Sequence, residues 1–267
     1  MKSAFFYHSL RRDISNFSLI KHRAVDGFLI SMHQSGTHWL KHILATALTH
    51  KFGLPPPQYI HANDVIPGPK DPRGDSKLPY IVSSHSIPHA LIGSRLFRQF
   101  VKLPPYVILV RDIRASLVST YEKWKNHYDC DFPVFLRGDV SGHQFHNDIW
   151  WCLRFCNRWG LLAHRFPETT LVIKYEDLKS RPLVVMQSIV EYWDLGLDES
   201  SLRFGLEESS KEKMAEKSDP GSEFNVTVIR NNKRSFMEWY DEEQLNYIGN
   251  ICANYLKYDF GYEYRKG

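Results

Sequence analysis

The sequence predicts an α/β fold in which one parallel sheet is wrapped by helices, and three observations predict it. Four short apolar runs, Phe28-Leu29-Ile30, Tyr80-Ile81-Val82, Tyr106-Val107-Ile108-Leu109-Val110 and Thr170-Leu171-Val172-Ile173, are rich in β-branched and aromatic residues and do not alternate. That is the pattern of strands covered on both faces. Amphipathic stretches fall among them at 37–51, 90–101, 115–125 and 147–165, and strand patterns that alternate with helix patterns imply a parallel sheet. The composition supplies the core: of 267 residues, 43% are apolar and 14% aromatic against 24% charged, the profile of one large globular domain spanning 1–267.

The same composition excludes several function classes. Lys and Arg total 34 against 30 Asp and Glu, a net charge of +4, which gives no case for broad nucleic-acid binding but leaves room for a local basic pocket. Of the four cysteines (Cys130, Cys152, Cys156, Cys252), only Cys152 and Cys156 stand one helical turn apart. No second Cys or His pair completes a zinc spacing, so the reading is reduced thiols in a cytoplasmic protein and no metal. Met1 to Asp13 holds no apolar run long enough for a signal peptide. Nothing in the chain approaches the roughly 20 apolar residues of a membrane span, so the expectation is a soluble protein.

The last helix is predicted to begin near Asp241. Asp241 with Gln244 forms a capping-box pattern, Tyr240 and Leu245 fit a hydrophobic staple, and Leu245, Ile248, Cys252 and Tyr255 form one apolar stripe. Three stretches read as irregular: 54–79 is rich in Pro and Gly, 129–144 in turn residues, and 196–225 is polar and serine-rich. Long loops on such a body often act as lids or acceptor-binding walls. No internal repeat is present.

In parallel α/β folds ligands sit beyond the carboxyl ends of the strands, so the residues after each apolar run carry the functional reading. The first run leads into Ser31-Met32-His33-Gln34-Ser35-Gly36-Thr37-His38-Trp39 and then a helix. A small, hydroxyl-rich turn before a helix lets backbone N–H groups and the helix dipole converge on an anion. The full G-x-x-x-x-G-K-[ST] nucleotide signature is absent. The third run ends in Arg111-Asp112-Ile113-Arg114, with Ser119 eight residues after Arg111, and this pair could clamp a second phosphate; the plainer alternative pairs Arg111 with Asp112. Lys174-Tyr175-Glu176-Asp177-Leu178 follows the fourth run, and Arg230-Asn231-Asn232-Lys233-Arg234-Ser235 is a basic run near the C-terminus.

In order and rough spacing, these four segments resemble the sulfotransferase family, whose members use 3′-phosphoadenosine-5′-phosphosulfate (PAPS) and release 3′-phosphoadenosine-5′-phosphate (PAP). The resemblance implies a P-loop-like three-layer α/β domain. It implies that Ser35, Gly36, Thr37 and His38 cradle the 5′-phosphosulfate, that Trp39 stacks on adenine, and that Tyr175 lies near it. Arg111 and Ser119 would hold the 3′-phosphate, helped by Arg230, Lys233 and Arg234. His85, in Ser83-Ser84-His85-Ser86-Ile87-Pro88, matches the family's general base, and its ordinary pKa of about 6.5 suits proton transfer near neutral pH.

Two departures bear on mechanism. Gln34 stands where the family has the lysine that stabilises the leaving phosphate oxygen, and Ser83 stands where a second lysine precedes the histidine. An amide offers hydrogen bonds roughly half as strong as charge-assisted ones, so a replacement cation is sought among His33, His38 and Lys41. In the C-terminal run, Asn231-Asn232 replaces Lys-Gly and Phe236 replaces Trp. The leading expectation is an enzyme that moves a sulfuryl group from PAPS to a hydroxyl acceptor, with a saccharide or glycoconjugate favoured and no metal. The alternatives are an accessory protein that binds PAPS or PAP without turnover, and a nucleotide kinase, which the missing Gly-Lys-Ser/Thr run disfavours. The aromatic supply at Trp150, Trp151, Phe155, Trp159, Phe132 and Phe135 fits either an acceptor cleft or, by helical spacing, the core. No family dimerisation segment is recognisable at 236–244, which leaves the oligomeric state open.

Overall fold

Each of the four apolar runs forms a strand: β1 (Gly27–Ser31), β2 (Ile81–Ser84), β3 (Tyr106–Val110) and β4 (Thr170–Lys174). They pair in parallel in the order β2-β1-β3-β4. This is a computed structural model, and it describes residues 2–15, 18–145, 147–217, 219 and 234–264. The helices are α1 (Lys2–Ser15), α2 (Thr37–Lys51), α3 (Arg95–Phe100), α4 (Ile113–Tyr128), α5 (Phe132–Arg137), α6 (Ile149–Arg165), α7 (Tyr175–Ser180), α8 (Pro182–Tyr192), α9 (Glu199–Glu208), α10 (Lys211–Glu216) and α11 (Glu242–Tyr255).

Alternation along the strands makes three layers. Phe28, Ile30, Tyr106, Ile108 and Val110 point into a cluster with Leu117 and Val118 of α4, Leu153 and Trp159 of α6, and Ile248 and Cys252 of α11. Leu29, Val107 and Leu109 point the other way, onto Ile43 and Leu44 of α2 and Met186 and Ile189 of α8. Successive strand residues face opposite sides, and here both sides are covered, which is why the runs do not alternate in polarity. Trp150, Trp151, Phe155, Trp159, Phe132 and Phe135 are all buried, so of their two readings the structure takes the core. The predicted capping box at Asp241 and Gln244 is present.

Three expectations are corrected. The stretch 90–101 is not one helix: a short 3-10 turn at Ala90–Gly93 ends where the Ser94 hydroxyl caps α3. The stretch 129–144 contains α5, capped by Asp131 with Pro133 in its first turn. The stretch 196–225 contains α9, capped by Asp198, and α10, capped by Ser210. In each case the Asp or Ser that signals a loop in the sequence accepts an orphan N–H at a helix start. The segment 54–79 holds turns and bends without helix or strand.

β1 lies between β2 and β3, so the chain leaves β1 toward one neighbour and returns on the other side of it. The loop from Ser31 to Thr37 therefore stands at the point where the strand order reverses, where open α/β sheets form their crevice.

Candidate active site

The loop after β1 is shaped by two residues in the left-handed region, Gln34 at φ +59° and Gly36 at φ +89°. Gly36 is required for a second reason: a Cβ there would lie 2.8 Å from two ring carbons of Tyr175. As N-cap of α2, Gly36 contributes no side chain, and none caps that helix. At the positive end of this 15-residue helix the N-cap thus offers the first-turn N–H groups no side-chain acceptor. The neighbouring hydroxyls turn inward. Ser35 donates to the Met32 carbonyl, and Thr37 donates to the Ser31 hydroxyl at 2.9 Å.

The second wall comes from the end of β3 and the start of α4. Arg111 Nη1 donates to the Gln34 carbonyl at 2.6 Å, and its guanidinium lies 4.4 Å from the centroid of the Tyr175 ring. Asp112 is not its partner: that carboxylate caps α4 and forms a pair with Arg114 at 2.7 Å. Ser116 donates to the His33 carbonyl at 2.8 Å, and Ser119 Oγ stands 3.5 Å from Gln34 Oε1. Gly36, Gln34, Arg111, Ser119 and Tyr175, drawn from three separate segments, therefore meet at one place.

The third wall is the end of β2. His85 Nδ1 lies 2.8 Å from the Ser31 carbonyl and 3.2 Å from its hydroxyl. A carbonyl only accepts, so Nδ1 carries the hydrogen and Nε2 keeps its lone pair. Burial pushes the His85 pKa down, partly opposed by the bond to Ser31, and the charges of Lys41 and Lys123 depress it further. The ring stacks on His33 with centroids 4.1 Å apart, and His33 in turn lies 4.6 Å from Trp151. This is a neutral imidazole of fixed tautomer.

The expected replacement cations fare unequally. Burial, with help from Lys41 and His85, lowers the pKa of His38 to about 3, so it carries no charge at neutral pH. Lys41 does turn inward, but it is 3% exposed and its ammonium is bound to Asn63 Oδ1 at 2.6 Å. Burial brings its pKa to about 8.

Trp39 is half-buried, and its indole N–H donates to the Ser209 carbonyl at 3.1 Å, while Ser209 Oγ meets His42 Nδ1 at 2.7 Å. Sequence reasoning missed Ser209, which lies in the stretch read as a polar loop, and it missed Ser116; serines carry too little pattern to be singled out. Arg230 and Lys233 lie outside the described residues. Arg234 is exposed and turned along its own segment, paired with Glu238 and lying 5.2 Å from the centroid of the Trp239 ring.

Residues 25–243 match the sulfotransferase domain family. The chain belongs to the sulfotransferase family. It is 26% identical to rat sulfotransferase 1A1 over 208 residues, covering 72% of this chain and 67% of that protein. It is also 26% identical to the dog sulfotransferase 1A1 over 145 residues, or 52% of this chain, and spans about half (46%) of the dog protein's length. Among solved structures, a mouse sulfotransferase complexed with PAP superposes with a TM-score of 0.61 at 15% identity, covering 89% of this chain and 87% of that one. A retinol dehydratase in complex with retinol and PAP gives 0.62 at 16%, covering 95% and 87%. The three-layer parallel fold is therefore that of the P-loop-like sulfotransferases.

Elsewhere this sulfotransferase-family chain offers little competing chemistry. Among the described residues no group of three or more His, Cys, Asp or Glu is placed to hold a metal ion, and no helix is long and apolar enough to cross a membrane. Cys152 and Cys156 are buried free thiols whose pKa values burial raises, and such thiols are unreactive.

Proposed function

We propose that this protein transfers a sulfuryl group from PAPS to a hydroxyl acceptor, leaving PAP. One observation carries the reading: the His85 imidazole, held in one tautomer by the Ser31 carbonyl, faces the same loop that joins Arg111, Gly36 and Tyr175. The residues fit a doubly phosphorylated nucleotide. The uncapped start of α2 and the close approach at Gly36 suit the 5′ group, and Arg111 with Ser119 suits the 3′-phosphate. Ser35, Thr37 and His38 contribute backbone N–H groups to the cradle. Trp39 and Tyr175 supply aromatic surface for the base, and Arg230, Lys233 and Arg234 remain assigned to the phosphates by the family resemblance.

His85 Nε2 takes the proton of the acceptor hydroxyl as its oxygen forms a bond to sulfur and the bond from sulfur to the 5′-phosphate oxygen breaks. The helix N-terminus and loop donors stabilise the charge gathered on that oxygen. Gln34 contributes amide hydrogen bonds where a lysine would contribute charge, and no metal takes part. A saccharide remains the proposed acceptor class; the retinol bound by one structural neighbour makes a retinoid the comparison compound. The protein acts without crossing a membrane, in the cytoplasm.

The test is release of PAP from PAPS across a panel of saccharides, phenols, sterols and retinoids, with and without a chelator. The expected result is turnover on at least one compound, unchanged by chelation, with His85→Ala slower by 10²–10⁴-fold and still binding PAP. An intact His85→Ala protein at full rate removes His85 from this role. PAP binding without turnover on any compound would favour the second reading, a nucleotide-binding accessory protein, for which the neutral Gln34 is the supporting observation.

A further inference from the structure

The loop after β1 lacks the lysine that the family resemblance puts at position 34, and two of the three side chains expected to replace it do not: His38 is neutral and Lys41 is closed off from solvent against Asn63, while His33 is stacked on His85. A group that meets a diffusing ligand has to be reachable before the ligand arrives. We infer that Lys123 of α4 supplies the missing charge, binding the 5′-phosphosulfate end of the donor in place of the lysines absent at positions 34 and 83. This assignment rests on the donor reading above.

Placement along α4 is the first argument. Ser116 bonds the His33 carbonyl, and Ser119 stands against the Gln34 side chain. Residues three and seven positions after Ser116 fall on the same side of a helix, so Lys123 continues the stripe that faces the loop, one turn beyond Ser119. Its charge also lowers the pKa of both His38 and His85, after the larger effects of burial and of Lys41.

Its surroundings are the second argument. Lys123 is accessible to solvent, yet enough protein crowds it to lower its pKa by desolvation. A side chain on a convex surface is accessible and uncrowded, whereas one lining an open crevice is both accessible and crowded. No ion pair holds it among the described residues, and its ammonium lies 5.3 Å from the centroid of the ring of Trp124, beside it in the chain. An ammonium that is partly desolvated and lacks a carboxylate is a poor stabilising element and a good anion ligand.

The test uses nucleotide binding, with the acceptor KM as a second readout. Calorimetry on the whole protein compares PAP with adenosine 3′-monophosphate, which lacks only the 5′-phosphate. Lys123→Gln is expected to weaken PAP about tenfold or more, as the loss of one charge-assisted bond implies, and to leave the 3′-monophosphate within twofold. Lys123→Arg is expected to retain PAP affinity, and Gln34→Lys placed in the Lys123→Gln protein is expected to restore it. Equal losses for the two nucleotides, or no loss for either, overturn the assignment. If PAP affinity is kept and only the acceptor KM rises, Lys123 serves the acceptor and the assignment is likewise overturned. Wild-type protein that binds neither nucleotide refutes the donor reading itself, which separates that failure from this one.

Discussion

Replacing Gly36 with alanine tests whether the loop, Tyr175 and Arg111 form one packed unit. Two costs arise. Left-handed backbone costs an L residue roughly 1–2 kcal/mol, and Gly36 sits at φ +89°. The new methyl also stands 2.8 Å from Cδ2 and Cε2 of Tyr175, and overpacking of that kind costs about 1–3 kcal/mol. The ring cannot retreat freely because the Arg111 guanidinium lies over it while bonded to the Gln34 carbonyl. The sum is about 2–5 kcal/mol, which for a chain of this length lowers Tm by about 4–10 °C, and PAP binding should fall at least tenfold as the loop is displaced. The assay is thermal unfolding and calorimetry on Gly36→Ala, Tyr175→Ala and the double variant. Removing the ring should abolish the steric share, leaving a coupling of about 1–3 kcal/mol between the two positions. Were Gly36→Ala to cost the same with and without the Tyr175 ring, the packing argument would be wrong, and strain in the backbone alone would explain the loss.

Two further outcomes follow from the same geometry. Arg111→Gln is expected to weaken PAP by about 10–100-fold and to leave adenosine 5′-phosphosulfate, which has no 3′-phosphate, nearly unchanged; calorimetry with both ligands checks this. Burial lowers the pKa of His22 and His38 to about 3 and of His42 to about 4, against 6.5 when exposed, so in acid the unfolded chain binds protons that the folded chain refuses. Stability should therefore be full above pH 6.5 and fall as the pH drops toward 4, each histidine adding up to about 1.4 kcal/mol per pH unit. Urea unfolding at pH 7, 6 and 5 reads that slope, and a flat profile would refute it.

How much was legible in the sequence depended on the range of the interaction involved. β3 and α2 were read to the residue, because buried strands and an amphipathic helix announce themselves by local periodicity. Gly36 and Arg111 stand out in the sequence because each follows a strand, where the fold itself puts ligands, and His85 stands out because it matches the histidine of the family resemblance. α5, α9 and α10 were missed because Asp131, Asp198 and Ser210 serve as helix caps, and such residues look alike whether they end order or begin it. Ser209 was invisible for another reason: its contact with Trp39 spans 170 positions, and nothing near Ser209 in the chain records it. The inward turn of the Ser35 and Thr37 hydroxyls was equally hidden, since a hydroxyl's choice between a ligand and its own loop is settled by geometry alone.

The replacement of lysine by Gln34 shows how separable shape and charge are in this loop. The backbone of residue 34 does two things: it takes the left-handed turn, and its carbonyl receives Arg111. Neither depends on which long, unbranched side chain follows, since glutamine and lysine differ little in the cost of that conformation. Only the charge is lost, and in the proposed function that charge is the one a lysine would aim at the 5′ end. Charge, unlike a backbone turn, acts through several ångströms and can be delivered from a different element. A helix already bonded to the loop through Ser116 and set against it at Ser119 is such an element, and Lys123, the residue proposed to carry the charge, lies one turn further along it.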